Sequence, residues 1–366
     1  MIKVGVLYGG RSCEHDVSCC SAASVVKYLD KSKYEVYAIG IDRGGRWHVQ
    51  DKPEIVTDKD FGSILKLKQT GDWLVNHFER DGKLFLYNKK TGSEIFVDII
   101  FPVLHGTFCE DGTLQGLLEL AMAPYVGADV IGSAIGMDKD VSKRLLREAG
   151  IPVVDWFKVS KHLWAAEKQS IIKEIVKEIG FPCFIKPCNT GSSVGITKVK
   201  NHESLESGIE NAFQWDNKIL VEKGINAREI EFSVIGNDNP AASIPGEIRP
   251  RHEFYSYEAK YIDSNGAELL IPAEIDQDLV NKMREVAVKG YSALCCKGMA
   301  RVDFFLDRDT GRFYLNEINT LPGFTNISMY PKLWEETGVD YKTLLDKLIN
   351  LAFDLRKEKN RLRTEF

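Results

Sequence analysis

Several features are missing from this sequence, and each absence narrows the reading. No apolar run reaches the roughly 18 residues of a membrane-spanning helix, so no membrane segment is expected. No basic block stands out. The 48 lysines and arginines face 53 acidic residues, and the net charge of −5 argues against a nucleic-acid surface. There are eight cysteines: Cys13, Cys19, Cys20, Cys109, Cys183, Cys188, Cys295 and Cys296. No two have CxxC spacing, so a zinc site is not expected, and the adjacent pairs suit a disulfide framework poorly. Free thiols in a reducing cytoplasm are the expectation. The opening residues MIKVGVLYGG lack the long apolar core and small-residue cleavage site of a signal peptide. Neither a GxxxxGK[ST] nor a GxGxxG pattern occurs, which sets aside Walker-type nucleotide loops and dinucleotide-dependent oxidoreductases. No internal repeat or low-complexity tract is visible.

What is present is an ordinary globular composition. The chain has 366 residues, 44% hydrophobic and 28% charged, enough for two or three domains with sizeable cores. A buried strand (3–8) ends at Gly9-Gly10, followed by a helix (16–29) and a strand (34–41). Residues 42–96 are polar and turn-rich, with short strand signals near 73–78 and 84–87. A strand (97–104) and a helix (113–121) come next. This βα alternation predicts a parallel sheet with helices on its faces. Ligands bind at the carboxyl ends of such strands, where loops 9–18 and 105–112 lie. Beyond them a helix (138–149) is closed by Gly150 and Pro152. Strand 153–159, helix 165–179, strands 183–186 and 194–199, helix 202–213 and strand 219–223 follow. From about residue 226 the pattern reads as strands 229–235 and 242–247, a polar loop 249–266, a helix 277–294, a strand pair 298–306 and 311–319, and an amphipathic helix 341–359.

Three constellations carry chemistry. The strand pair reads GMARVDFFLDRDTGRFYLNEINT, with DRDTG as the turn. A hairpin symmetric about Thr310 sets Asp303 opposite Glu317 and Arg301 opposite Asn319, all on one face. Two carboxylates and an amide oxygen side by side are hard ligands suited to Mg²⁺ that also takes phosphate oxygens. A one-residue bulge would spoil this register. A solvated sheet face with cross-strand charge pairs fits the same pattern, and the hairpin alone leaves both readings open. The second constellation is FPCFIKPCNTGSSVGITKV. Here a strand ends in Lys186, and a Gly/Ser loop lets backbone amides approach phosphate oxygens. A plain hairpin turn explains Gly/Ser clusters equally well until Lys186 and the metal face are added. The third, ILVEKGINAREIEFSV, hands one strand to another at Glu222 and Lys223. It suits an adenine slot with Glu229 near the ribose, or an ordinary interdomain linker.

Taken together, LYGGRSCEHDVS, LHGTFCEDGTLQG, MDKDVSKRLL, IKPCNTGSSVG, FYSYEAKYID, GMARVDFFL and NEINTLPGFTNISMYPKLW resemble the D-alanine–D-alanine ligase family of ATP-grasp enzymes almost end to end. The resemblance implies an N-terminal Rossmann-like parallel-sheet α/β domain (1–127). It also implies a two-part ATP-grasp fold, with a central subdomain (128–225) and a C-terminal one (226–366) carrying a catalytic lid (249–266). It implies ATP-dependent joining of two D-alanines through an acyl phosphate, for peptidoglycan precursors and the cell wall. ATP and two Mg²⁺ ions, for which Mn²⁺ can stand in, are the implied cofactors. A cytoplasmic homodimer with no nucleic-acid or membrane partner is implied as well.

The resemblance also assigns roles. Asp303, Glu317 and Asn319 match the metal ligands. Lys139 and Lys186 match lysines that contact phosphates, and Lys260 would reach the γ-phosphoryl group. Glu222, Lys223, Ile225, Glu229 and Phe254 fall in the nucleotide site, with Phe184 as a further packing residue. Glu14 matches the group that holds the first ammonium, backed by Ser192 and Tyr261. Val17 packs on the substrate methyl. Arg301 and the Gly323 amide would stabilise the tetrahedral oxyanion. Ser328 and Met329 would hold the second carboxylate. His105 lines the same pocket, and Glu110 orients Arg301 and the lid. Family members that make D-alanyl-D-lactate lack the YEAKY tyrosine. Tyr261 therefore favours D-alanine, while D-serine depends on the space near Met329.

Overall fold

The computed structural model describes residues 1–71, 73–80, 83–250 and 267–363, with the side chains of 76–80 left aside. The expected lid residues Phe254, Tyr255, Tyr257, Lys260 and Tyr261 lie outside the described residues.

The chain opens with β1 (Ile2–Gly9), α1 (His15–Tyr28), β2 (Tyr34–Ile41), β3 (Trp47–Gln50), β4 (Ile55–Asp58), β5 (Gly62–Leu65), β6 (Trp73–Arg80), β7 (Lys83–Asn88), β8 (Glu94–Val97), β9 (Ile99–Pro102) and α2 (Thr113–Leu120). Seven of these strands form one sheet in the order β8-β7-β6-β3-β2-β1-β9. Only β2, β1 and β9 run parallel; the remaining pairings are antiparallel. The expected parallel sheet is thus confined to the strands joined by a helix or a long crossover. The described residues of 42–96 hold no helix, so their strands turn back on one another and pair antiparallel. The single strand expected over 97–104 divides at Asp98, whose carboxylate accepts the Lys3 amide at 2.7 Å. Val97 ends a strand paired with β7, and Ile99 starts the one paired with β1.

Next come α3 (Val130–Met137), α4 (Lys139–Glu148), β10 (Trp156–Ser160), α5 (Lys161–Glu178), β11 (Cys183–Pro187), β12 (Thr197–Val199), α6 (Leu205–Ala212) and β13 (Lys218–Lys223). Here β10, β13, β11 and β12 make an antiparallel sheet in that order. Asp138 caps α4, its carboxylate accepting from the Asp140 and Val141 amides. The short α3, absent from the sequence reading, is capped in the same way by Asp129.

The last segment holds β14 (Ala227–Ile235), β15 (Ala241–Ala242), β16 (Gly246–Pro250), β17 (Ala267–Leu270), α7 (Gln277–Ala293), β18 (Met299–Asp307), β19 (Phe313–Asn319), α8 (Met329–Glu336) and α9 (Tyr341–Lys359). The order β17-β16-β14-β18-β19 makes a second antiparallel sheet, with β15 on β14. The strand expected over 242–247 is two pieces, β15 and β16. One face of this sheet is apolar: Ile230, Phe232, Val302, Phe304, Leu315 and Ile318 pack with Met283 and Ala287 of α7. The other face is left for polar residues.

The two ends of the chain share a core. Leu344, Leu345, Leu348 and Ile349 of α9 pack with Val4, Val6, Ala22 and Phe101 of the first domain. This docking fixes the N-terminal sheet against the last segment, and the functional cavity opens along the seam.

Candidate active site

The polar face of the last sheet carries the first part of the site. Glu231 on β14 lies opposite Asp303 on β18, which lies opposite Glu317 on β19. One step along, Arg301 pairs with Asn319. Both pairings match the sequence expectation, but not through a symmetric hairpin. Beyond the site the register is Phe304 with Leu315 and Leu306 with Phe313, so Asn316 is an extra residue. The bulge does not spoil the pairing; it creates it. Leu315 and Glu317 are two apart and would share a face on an unbroken strand. With Asn316 bulged, Leu315 is fully buried in the core while Glu317 lines the cleft.

Arg301 anchors this face. Its Nε and Nη2 donate to Asp303 Oδ1 and Oδ2 at 2.8 and 2.7 Å, and Nε lies 3.1 Å from Glu231 Oε2. Burial pulls the guanidinium's pKa down, but Asp303 and Glu231 outweigh it and hold it well above its ordinary value. Three carboxylates around one guanidinium leave negative charge on the face. Among the described residues no ready cage of three acidic, histidine or cysteine side chains converges. The oxygen donors of Asp303, Glu317 and Asn319 fit Mg²⁺, which takes few protein ligands and fills its shell with phosphate oxygens and water.

The central sheet supplies the cations. Phe184, Lys186 and Glu222 share one face of β11 and β13. Lys186 Nζ lies over the Phe305 ring, 5.6 Å from its centre, and so spans to the other sheet. Glu229 pairs with Phe305 and faces the same cleft. The Glu222 carboxylate is buried between two lysines: Lys186 Nζ at 2.5 Å and Lys143 Nζ at 2.6 Å. Burial raises its pKa, but the two ammonium groups win and hold it at about 2. The amides of Lys223 and Gly224 donate to Asp155 and Pro182 carbonyls, so a base edge at this crossing would not be met by those two. Ile225 follows at the crossing. Lys139 opens α4, and its Nζ donates to the Thr190 carbonyl at 2.6 Å. The loop after β11 bends through left-handed Ser192 and Ser193, at φ +50° and +60°. Asp216 holds its start by accepting from both nitrogens of Asn189.

The third part comes from the first domain. Glu14 precedes α1 and is buried, with Ser192 Oγ donating to its carboxylate. Glu110 is buried too, and its Oε2 accepts the Gly106 amide at 2.8 Å. Burial and the nearby Glu14 push its carboxyl well above the ordinary range. Burial holds His105 down to about 4, so its ring is neutral near pH 7. Its Nε2 lies 3.2 Å from Ser21 Oγ, which also accepts the Phe324 amide. Ser328 Oγ accepts the Thr325 amide at 3.0 Å and packs under Gly323, where a Cβ would come within 2.7 Å of it.

A cavity of about 600 Å³ joins these pieces. Glu14, Val17, His105, Glu110, Lys139, Ser192, Arg301, Glu317, Asn319, Gly323, Ser328 and Met329 all line it. Lys186, Glu222, Lys223, Ile225, Glu229 and Asp303 do not appear on its wall. All but Asp303 belong to the slot between the two sheets or to its crossing.

Residues 3–128 match the family model described as the D-ala D-ala ligase N-terminus, and residues 145–350 match the model of its C-terminus. The chain belongs to the D-alanine–D-alanine ligase family. A D-alanine–D-alanine ligase of Oceanobacillus iheyensis is 47% identical, covering 99% of this chain and 98% of its own. One from a Thermoanaerobacter species is 49% identical, with 98% of each covered. Among solved structures, the D-alanine-D-alanine ligase from Coxiella burnetii superposes with a TM-score of 0.80 at 34% identity, covering 98% and 96% of the two chains. The VanG D-Ala:D-Ser ligase of Enterococcus faecalis gives 0.81 at 35%, covering 96% and 99%.

Four residues of this family member escaped the sequence reading. Glu231 was findable, because the alternation in EIEFSV puts it on Glu229's face. Lys143 was not, since MDKDVSKRLL reads as a solvated helix start. Asp216 and Ser21 act through contacts with segments far away in sequence. The role of residues 42–96 also becomes partly visible. Asp60, Phe61 and Ser63, at the tip of the β4–β5 hairpin, line the cavity, and Cys20 Sγ lies 3.5 Å from the Phe61 carbonyl.

Proposed function

We propose that this protein is an ATP-dependent ligase that joins two D-alanines into D-alanyl-D-alanine, for peptidoglycan precursor synthesis. The observation that carries the reading is one cavity lined by an ammonium site (Glu14 with Ser192) and an anion-stabilising group (Arg301) beside hard-oxygen donors (Glu317, Asn319). An amino acid and a phosphate can meet there. ATP transfers its γ-phosphoryl group to the carboxylate of the first D-alanine, and the amine of the second attacks the acyl phosphate. Lys139 and Lys186 offset the charge spread over the transferring phosphoryl group. The nucleotide lies in the slot of Phe184, Glu222, Lys223, Ile225 and Glu229, closed by Phe254 and Lys260. Glu14, supported by Ser192 and Tyr261, anchors the first ammonium, and Val17 meets its methyl. Arg301 and the Gly323 amide hold the oxyanion, and Ser328 with the Met329 backbone holds the second carboxylate. Neutral His105 lines the pocket and adds no charge to it. Asp303, Glu317 and Asn319 would hold two Mg²⁺ ions, or Mn²⁺, which supply charge neutralisation at the phosphates.

The reading includes the three-part division at residues 127 and 225, the 249–266 lid, a homodimer through the N-terminal domain, and a cytoplasmic location. The likeness to VanG supports D-serine as the second reading for the second substrate. The test is phosphate release from Mg·ATP with D-alanine alone, with L-alanine, and with D-alanine plus D-serine or D-lactate, products being identified by mass. Dipeptide from D-alanine alone is the expected result. Turnover only in a mixed reaction would move the second substrate to D-serine or D-lactate. ATP bound with silence in every reaction would overturn the D-alanine assignment.

A further inference from the structure

Lys143 is a buried lysine to which the proposed mechanism gives no task. It is 3% exposed, and its Nζ lies 2.6 Å from Glu222 Oε2 and donates to the Val154 carbonyl at 3.2 Å. Glu222 is 2% exposed, and its other oxygen meets Lys186 at 2.5 Å. One carboxylate therefore bridges two ammonium groups, and the cluster carries a net charge of +1. Lys143 stands one helical turn after Lys139 on α4, so the same helix presents one lysine to the Thr190 loop and another to the floor beneath Lys186.

We propose that Lys143 is a positioning residue for nucleotide phosphates: by engaging the second oxygen of Glu222, it lets that carboxylate orient Lys186 without cancelling its charge. Without Lys143, Glu222 and Lys186 form a closed pair of zero net charge. A phosphate approaching Lys186 then competes with a buried carboxylate that has no other cation to turn to. With Lys143 present, Glu222 keeps Lys186 in place at low exposure while the unit charge of the cluster stays available to the phosphate. Buried charges act in a lower effective dielectric than water, so this unit charge weighs more than it would at the surface. The inference rests on the reading of Lys186 as a phosphate contact.

The experiment is equilibrium binding of ADP and of adenosine to the full chain, parent and variants, by calorimetry. Lys143→Met should weaken ADP on the order of tenfold, the effect of changing a close, partly screened site by one charge, and leave adenosine within about twofold. Lys143→Gln, which keeps a polar tip toward Val154, guards against a folding defect and should give the same pattern. The double variant Lys143→Met/Glu222→Gln restores a net +1 at Lys186 and should recover part of the ADP affinity. Parallel loss of adenosine and ADP would assign Lys143 a merely structural role and overturn the proposal. So would unchanged ADP affinity, or a double variant weaker for ADP than Lys143→Met. Lys186→Met is the separate control. If it fails to weaken ADP selectively, the phosphate reading of Lys186 falls. If it weakens ADP while Lys143→Met does not, only the inference falls.

Discussion

Replacing Glu222 by glutamine tests the electrostatic frame of the nucleotide slot. The carboxylate is held at about 2 rather than its ordinary 4.5 because Lys143 and Lys186 outweigh burial. At ~1.4 kcal/mol for each tenfold change in proton affinity, that preference corresponds to about 3 kcal/mol of native-state stabilisation. Glutamine removes it and leaves two buried ammonium groups without a counter-charge, a loss typically of about 3–5 kcal/mol. For a unit of this size each kcal/mol shifts melting by roughly 2–4 °C, so Glu222→Gln should melt about 6–20 °C lower at pH 7 by scanning fluorimetry. The pH dependence has a definite sign. The folded-state pKa lies below the unfolded one, so the stabilisation is complete above about pH 5 and drains as pH falls toward 2. The gap between parent and variant should narrow by about 1 kcal/mol between pH 7 and pH 4. A variant melting within about 2 °C of the parent, or a gap that does not change with pH, would refute the reasoning.

Other substitutions probe the remaining parts. Arg301→Lys keeps a charge but loses the two-pronged grip on Asp303, and should lower kcat on the order of 10²-fold in a phosphate-release assay; near-parent kcat would remove the oxyanion role. Asp303→Asn should raise the Mg²⁺ concentration for half-maximal rate on the order of tenfold, read from a metal titration, and should also lower the melting temperature, because it removes the buried counter-charge gripped by Arg301. Gly106 sits at φ +79°, and a Cβ there would meet Glu14 Oε2 and Ser12 Oγ, each at 2.7 Å. Gly106→Ala should therefore raise KM for the first D-alanine more than for ATP, with a stability loss above about 1 kcal/mol. Equal effects on both substrates would show that the strain does not reach Glu14.

How much of this was legible in advance depends on whether the physics is local. The starts of α4 and α9 were, because Asp138 and Asp340 cap from their own side chains. The helix 341–359 was placed to the residue, since its apolar repeat runs 19 residues without a break. Short pieces were not: the eight-residue α3 and α8 lack a long period, and four-residue strands in 42–96 are stabilised mainly by their neighbours. Where the candidate residues lie on the strand pair, the sequence set Asp303 opposite Glu317 and Arg301 opposite Asn319, as the register has them. Glu231, Lys143 and Asp216 act across sheets and loops, and their pairing exists only once those are assembled.

The sequence by itself determined the long helices, the two chemistry-bearing strands and the family, because periodicity, caps and motif residues are properties of neighbours along the chain. Only the tertiary structure decided which residues meet. The bulge at Asn316 aims Leu315 into the core and Glu317 into the cleft, a choice that alternation along β19 would forbid and that packing against α7 resolves. Ser192 likewise meets Glu14 178 residues away, and a contact at that separation is fixed by the assembled fold rather than by either segment.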